Sequence, residues 1–252
     1  MSAAWVLLRG LARDSRHWEA FPARLANSLG AGVDIVTLDL PGNGQLSHQR
    51  SPATVAAMVE AYRARLRGRR VHLLGLSLGA MVAIEWAHRY PGEIASVVLV
   101  NGSGGGLSPP WQRMRPGAAW ALARTLWPGL SAAEREACIV ALCSNGPDGG
   151  VTAARWARYA AQSSTSPSNA ARQLMAALRF RLPPSRPDVA AIVVASAADR
   201  LVSVECSIAL ARRWGLPLLM HPTAGHEIAL DDPGWLARQC ARWQSGLGGF
   251  RP

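Results

Sequence analysis

Ser77 stands between two glycines in Gly75-Leu76-Ser77-Leu78-Gly79, after an apolar run Val71–Leu76 and before a helical pattern through Ile84, Glu85, Trp86, Ala87 and His88. A serine hydroxyl becomes an effective nucleophile only when a neutral imidazole can take its proton and a carboxylate can orient that imidazole. A strand–turn–helix junction holds such a serine on a tight turn with its hydroxyl exposed. Glycines on either side let the backbone approach closely there. A Gly-x-Ser-x-Gly arises by chance roughly 0.2 times in a chain of this composition, so the partners decide its meaning. Asp199 lies just past the apolar run Ala190–Ala195, and His226 lies past a run ending near Met220. Both positions predict loops beyond the carboxyl ends of strands, where open α/β sheets hold their ligands. The chemistry these three side chains could carry is attack of a serine on a carbonyl carbon.

Other polar residues compete less well. His72 falls within a predicted strand, and His88 and His221 near element ends. His17 and His48 lie near loops without a carboxylate placed to orient them. Asp14, Asp148 and Asp188 do not directly follow a predicted sheet strand, and Asp39 belongs to a turn. His226-Glu227 begins like a zinc-peptidase helix, but the second histidine is absent. Cys138, Cys143, Cys206 and Cys240 form neither a C-x-x-C pair nor a metal-binding spacing and read as reduced thiols. Nothing in the chain calls for a metal or a cofactor.

The elements that must position the triad follow a regular rhythm. Ala4–Leu8 reads as a strand. Ser15 reads as the cap of a helix carrying Trp18, Phe21, Leu25 and Leu29. Val33–Leu38 is a second strand, ended by Asp39-Leu40-Pro41-Gly42-Asn43-Gly44. Ser51-Pro52 opens the next helix. Val71–Leu76 and Ala95–Val100 follow as strands, with a helix between them that Pro91-Gly92 stops. Strands alternating with helices predict a parallel sheet covered on both faces. From Gly102 to Pro187 no strong strand appears. Helical patterns run over Trp111–Trp127, Ser131–Cys143, Val151–Ala161 and Ser168–Phe180. The sheet resumes with Ala190–Ala195, a helix from Ser203 to Trp214, a strand Leu216–Met220 and a last helix from Asp232 to Gln244. Gly246-Leu247-Gly248-Gly249 then reads as a tail.

The chain of 252 residues is 49% hydrophobic and 17% charged, a globular composition. Its net charge is +11, and every basic residue other than histidine is an arginine. The arginines are scattered, with Arg67-Gly68-Arg69-Arg70 the only dense cluster, and no nucleic-acid module accompanies them. A basic surface suits an acidic substrate or an acidic acyl carrier protein. No run approaches the length of a membrane span. The amino terminus lacks a basic segment followed by an apolar core and a cleavage site, which makes a cytoplasmic protein the default expectation.

Four segments, in order, resemble the α/β-hydrolases of the capped, esterase-like branch: Leu7-Leu8-Arg9-Gly10, Asp39–Gly44, Gly75–Gly79, and Gly225-His226 followed by Asp231-Asp232-Pro233. The resemblance implies a mostly parallel sheet of about six strands with helices on both faces and the amino-terminal antiparallel strands trimmed. It divides the chain into a core of residues 1–106 and 188–252 and a helical cap, or lid, of residues 107–187. It implies catalytic roles for Ser77, Asp199 and His226, with an oxyanion hole from the backbone N–H groups of Leu78 and Leu11. The implied substrate is a carboxylic ester or thioester, as for the carboxylesterases of that branch. The resemblance leaves open acyl transfer, perhydrolysis, a lyase reaction or ligand binding without catalysis, and says nothing of oligomeric state. Arg9 stands where the family usually has histidine. It either meets an anionic substrate group or is a surface or salt-bridged arginine. Trp111, Trp120 and Trp156 of the cap either line an acyl pocket or fill the cap interior.

Overall fold

A computed structural model of the chain describes residues 3–66, 69–125, 127 and 129–247. Six strands form one sheet in which every neighbouring pair is parallel: β1 (Ala4–Leu8), β2 (Ile35–Thr37), β3 (Val71–Leu76), β4 (Ile94–Val100), β5 (Ala190–Ser196) and β6 (Leu218–His221), in the order β2-β1-β3-β4-β5-β6. No antiparallel strand precedes β1 among the described residues, in line with the trimmed sheet expected.

The strands are apolar at nearly every position because both faces are covered. Val6 and Leu8, Leu73, Val97 and Leu99, and Val193 point into one core, beneath α2 (Val55–Leu66), α3 (Leu78–Arg89) and α9 (Val204–Trp214). The alternate residues Trp5, Leu7, Leu74, Leu76, Val98, Val100 and Val194 point into a second core. That core is closed by α1 (Phe21–Leu29) and α11 (Pro233–Gly246). The period-two alternation along each strand therefore builds two hydrophobic layers from one sheet. The cores fix the strand ends, and with them the loops that follow.

Residues between β4 and β5 form α4 (Pro110–Arg113), α5 (Pro116–Arg124), α6 (Ala132–Cys143), α7 (Gly149–Gln162) and α8 (Pro167–Arg179). The single helix expected over Trp111–Trp127 is broken in two. Arg115 precedes Pro116 and is forced to extended backbone (φ −61, ψ 140). This helical segment lies on the loops at the carboxyl end of the sheet. Arg13 pairs with Glu136 at 2.9 Å. Gln173 accepts from the Ala12 amide at 2.8 Å and donates to Asn43 and Ser51. The Asn145 side chain donates to the carbonyls of Ala198 and Thr223.

Near the amino terminus the cap residue is Asp14, not Ser15. Its carboxylate accepts from the Arg16 amide at the start of a 3-10 turn, Ser15–Trp18. Glu19 (φ 51) interrupts that turn, and α1 begins afresh at Phe21, with Pro22 in its first turn. Arg67, Gly68, Gly248 and Gly249 of the sequence reading lie outside the described residues. Among the described residues no helix is long and apolar enough to cross a membrane.

Candidate active site

Ser77 occupies the junction of β3 and α3 with φ 59 and ψ −115, a conformation that a side chain with a Cβ adopts only under strain. Its neighbours explain how the strain is held. The Ser77 amide donates to the Val100 carbonyl at 2.9 Å, tying the turn to β4. A Cβ at Gly75 would strike the Gly79 carbonyl, and a Cβ at Gly79 would strike the Leu8 carbonyl. Both glycines are therefore steric requirements of this elbow. Leu78 is the first residue of α3, so its N–H has no acceptor within the helix. The Leu11 N–H makes no hydrogen bond among the described residues. Gly10, just before it, lies against the Ser77 side chain, where an added Cβ would sit 3.4 Å from the Ser77 Cβ.

Asp199 follows β5, and both of its oxygens are committed. Oδ1 accepts from the amides of Leu201 (2.8 Å) and Val202 (2.9 Å), and Oδ2 meets His226 Nδ1 at 2.7 Å. Asp199 and His226 are both buried. With Nδ1–H donated to Asp199, the lone pair of the neutral ring lies on Nε2, which has no hydrogen-bond partner. The bond from Ser77 to Nε2 that a primed triad would make is not formed here. Such bonds tighten when substrate arrives. Burial alone disfavours the imidazolium of His226. Asp199, helped by Glu227, more than offsets that penalty, and the pKa lies above the ordinary histidine value.

Sequence reasoning passed over two supports of this histidine. Asn101, at φ 47 just past β4, donates from Nδ2 to the His226 carbonyl at 2.8 Å and accepts from the Ser196 amide at 2.8 Å. Asn101-Gly102 directly after a strand was the available signal: asparagine tolerates positive φ and bonds backbone at turns. The second support is Glu227. Arg9 donates to it through both terminal nitrogens, at 2.9 and 2.7 Å, with both side chains almost fully buried. The Arg9 guanidinium also lies 4.7 Å from the centre of the Trp18 ring. Arg9 is thus bound to a carboxylate of the protein and is not offered to a substrate anion. The pair joins the loop after β1 to the loop carrying His226. Burial would raise the Glu227 pKa, but Arg9 outweighs it and holds the carboxyl below its usual range.

The tryptophan expectations need correction. Trp111 and Trp120 are 65% and 69% exposed, so they present their rings to solvent instead of an acyl pocket. Trp156 is fully buried, with its Nε1 donating to Glu19 and its ring against Arg13 and His17. It fills the contact between the helical segment and the core. His17 also differs from expectation, because Asp14 lies 3.1 Å from its Nδ1. Asp39 behaves as a turn residue, accepting from the amides of Ser15 and Gln45. His72 bonds Ser96 and stacks on Trp5, and burial pushes its pKa down to about 4.

Comparison with known proteins places this geometry among relatives. A model of the alpha/beta hydrolase family matches residues 5–239. The biotin biosynthesis bifunctional protein BioHC of Teredinibacter turnerae is 33% identical over 95 residues, covering 38% of this chain and 16% of that protein. A 2-hydroxy-6-oxononadienedioate/2-hydroxy-6-oxononatrienedioate hydrolase of Pseudomonas putida is 32% identical over 109 residues, covering 41% of this chain and 38% of that one. These matches thus span less than half the length of the curated relatives. Among solved structures, a membrane phospholipase A superposes with a TM-score of 0.77 at 20% identity, over 99% of this chain and 80% of the other. A hydrolase from Pseudomonas aeruginosa superposes with a TM-score of 0.76 at 21% identity, over 96% and 90%. At such identity these structures speak for the fold alone.

Proposed function

The chain belongs to the alpha/beta hydrolase family, and within it we propose a serine hydrolase that cleaves a carboxylic ester or thioester. The observation that carries this reading is a buried His226–Asp199 pair whose Nε2 is unpartnered, at the sheet edge that also bears the strained Ser77.

His226 Nε2 takes the Ser77 proton as Oγ attacks the carbonyl carbon. Asp199 fixes the ring through Nδ1 and stabilises the imidazolium that forms. The N–H groups of Leu78 and Leu11 receive the developing oxyanion, each donor lowering the barrier by about 3–4 kcal/mol. Imidazolium protonates the leaving alcohol or thiol, an acyl-enzyme remains, and water activated by His226 releases the acid. The helical segment 107–187 serves as the cap that shapes the acyl pocket and excludes water. Gln173 of that cap holds the Ala12 amide, next to Leu11, so cap position and oxyanion geometry are linked.

Hydrolysis of a carbon–carbon bond in a 2-hydroxy-6-oxo-dienoic acid is the second reading, favoured by the similarity to the Pseudomonas putida hydrolase. Parallel turnover assays with p-nitrophenyl esters, acyl thioesters and such a dienoic acid separate the two. The ester reading expects the first two to be cleaved faster, with all turnover lost in Ser77→Ala. Preference for the dienoic acid overturns it.

A further inference from the structure

Three arginines border one cavity whose lining includes no carboxylate and none of Ser77, Asp199 and His226. The cavity holds about 510 Å³ and is bordered by Gly105, Ser108, Arg113, Leu178, Arg179 and Arg181, among others. It sits where the chain leaves the core and where it returns. There the Gly105 amide donates to the Phe180 carbonyl and the Leu182 amide donates to the Gly105 carbonyl. Arg113 is anchored at the wall, donating to the carbonyls of Ala177 (2.5 Å) and Leu178 (3.4 Å). Its Nε has no partner, and the buried Ser108 hydroxyl lies against the Cys206 thiol. None of the ion pairs among the described residues uses Arg113, Arg179 or Arg181.

Like charges gathered around a concave, partly desolvated wall repel one another and raise the local concentration of anions. Arginine forks match the oxygens of a phosphate better than those of any neutral group. A dianion answers several arginines at once, where a single carboxylate answers one. Gly106 (φ 87) has only the Arg181 side chain within 4 Å of where a Cβ would stand, so a ligand can approach its backbone.

We propose that this cavity binds a phosphate group, carried either by a small ligand or by a lipid headgroup, at a site separate from Ser77. The test measures binding of inorganic pyrophosphate by titration calorimetry. In parallel, it measures co-sedimentation with phosphatidylcholine vesicles with and without phosphatidic acid. The double variant Arg179→Ala/Arg181→Ala probes the site, because both side chains are exposed. The double variant Arg238→Ala/Arg242→Ala, on α11 across the sheet, removes the same charge elsewhere. The site variant is expected to bind about tenfold more weakly, while the control variant and ester turnover stay at wild-type level. Arginine-dependent pyrophosphate binding assigns a small phosphate ligand. Arginine-dependent binding to phosphatidic acid vesicles without pyrophosphate binding assigns a lipid headgroup. Absence of binding in both arms overturns the proposal, as does equal loss in the two variants. Succinate that competes as well as pyrophosphate overturns the phosphate assignment.

Discussion

Three buried histidines among the described residues meet an aspartate, and two of them closely, His226 with Asp199 at 2.7 Å and His17 with Asp14 at 3.1 Å, against 3.5 Å for His221 and Asp232. Contact with a carboxylate therefore does not by itself mark a catalytic base. The other ring nitrogen separates them. His17 Nε2 faces a guanidinium nitrogen of Arg13 at 3.3 Å, and its ring is boxed by Trp156 and Tyr159. His226 Nε2 has no partner. The surrounding charges then push the two rings in opposite directions. Burial dominates at His17, and the Asp14 bond only partly offsets it against Arg13 and Arg9, so its pKa falls. At His226, Asp199 and Glu227 overcome burial and the pKa rises. One ring is a packing element between the core and the helical segment of residues 107–187, and the other is proposed as the base.

The sharpest way to break that contrast is substitution at each ring. His226→Ala should lower kcat/KM for a p-nitrophenyl ester by about 10³-fold or more. His17→Ala should change it by less than about tenfold while costing about 2–3 kcal/mol of stability, read by urea unfolding. A folded His17→Ala protein without turnover would reverse the two roles.

The Arg9–Glu227 pair tests the electrostatics. Arg9→Met and Glu227→Gln each leave a buried charge unpaired and should cost about 3–5 kcal/mol. Their pH–rate profiles should move apart. In the wild type, kcat/KM should rise as His226 loses its proton, at a midpoint above the ordinary histidine value of about 6.5. Glu227→Gln removes an anion and leaves Arg9 facing the ring, so the midpoint moves down. Arg9→Met leaves the anion, so the midpoint moves up. The charged groups acting on His226 are Asp199, Glu227 and Arg9. Parallel shifts in the two variants would remove Glu227 and Arg9 from the account.

Gln173→Leu is a milder lesion. It strands the Ala12 amide and takes one donor from each of Asn43 and Ser51, which keep Thr165 and the Pro41 carbonyl as partners, costing about 1–3 kcal/mol. It should lower kcat more than it raises KM. The reverse pattern would mean that the cap only binds substrate.

The smallest effects appear in the pH dependence of stability. The depressed His17 pKa contributes stability that is lost as pH falls below about 6.5, when the unfolded chain takes up a proton first. The raised His226 pKa contributes stability present below that pH and lost as pH rises through the folded value. Comparing urea midpoints of the two alanine variants across that range should therefore give opposite slopes relative to wild type.

Much of this was legible in the sequence, for physical reasons. Two-sided burial makes a parallel strand almost wholly apolar, so β1, β3 and β5 stood out, each with at least one end at the observed residue. Ser77 directly follows β3, Asp199 comes three residues after β5 and His226 five residues after β6, so the loops that carry them could be placed from the strands. Asp14–His17 was missed because the contact depends on a 3-10 turn that Glu19 breaks, and the apolar spacing suggested one continuous helix instead. Arg9–Glu227 spans 218 positions, and charge pairing at that separation leaves no periodic trace. The cap tryptophans misled because apolar type was read as burial, whereas Trp111 and Trp120 stay largely exposed.

The central proposal is that Ser77 is a nucleophile activated by His226 and not by His17. A fluorophosphonate probe with mass spectrometry of the labelled peptide tests it most directly. The account predicts label on Ser77 in the wild type and in His17→Ala, and none in His226→Ala. Label on another residue, or undiminished labelling of Ser77 in His226→Ala, would contradict it.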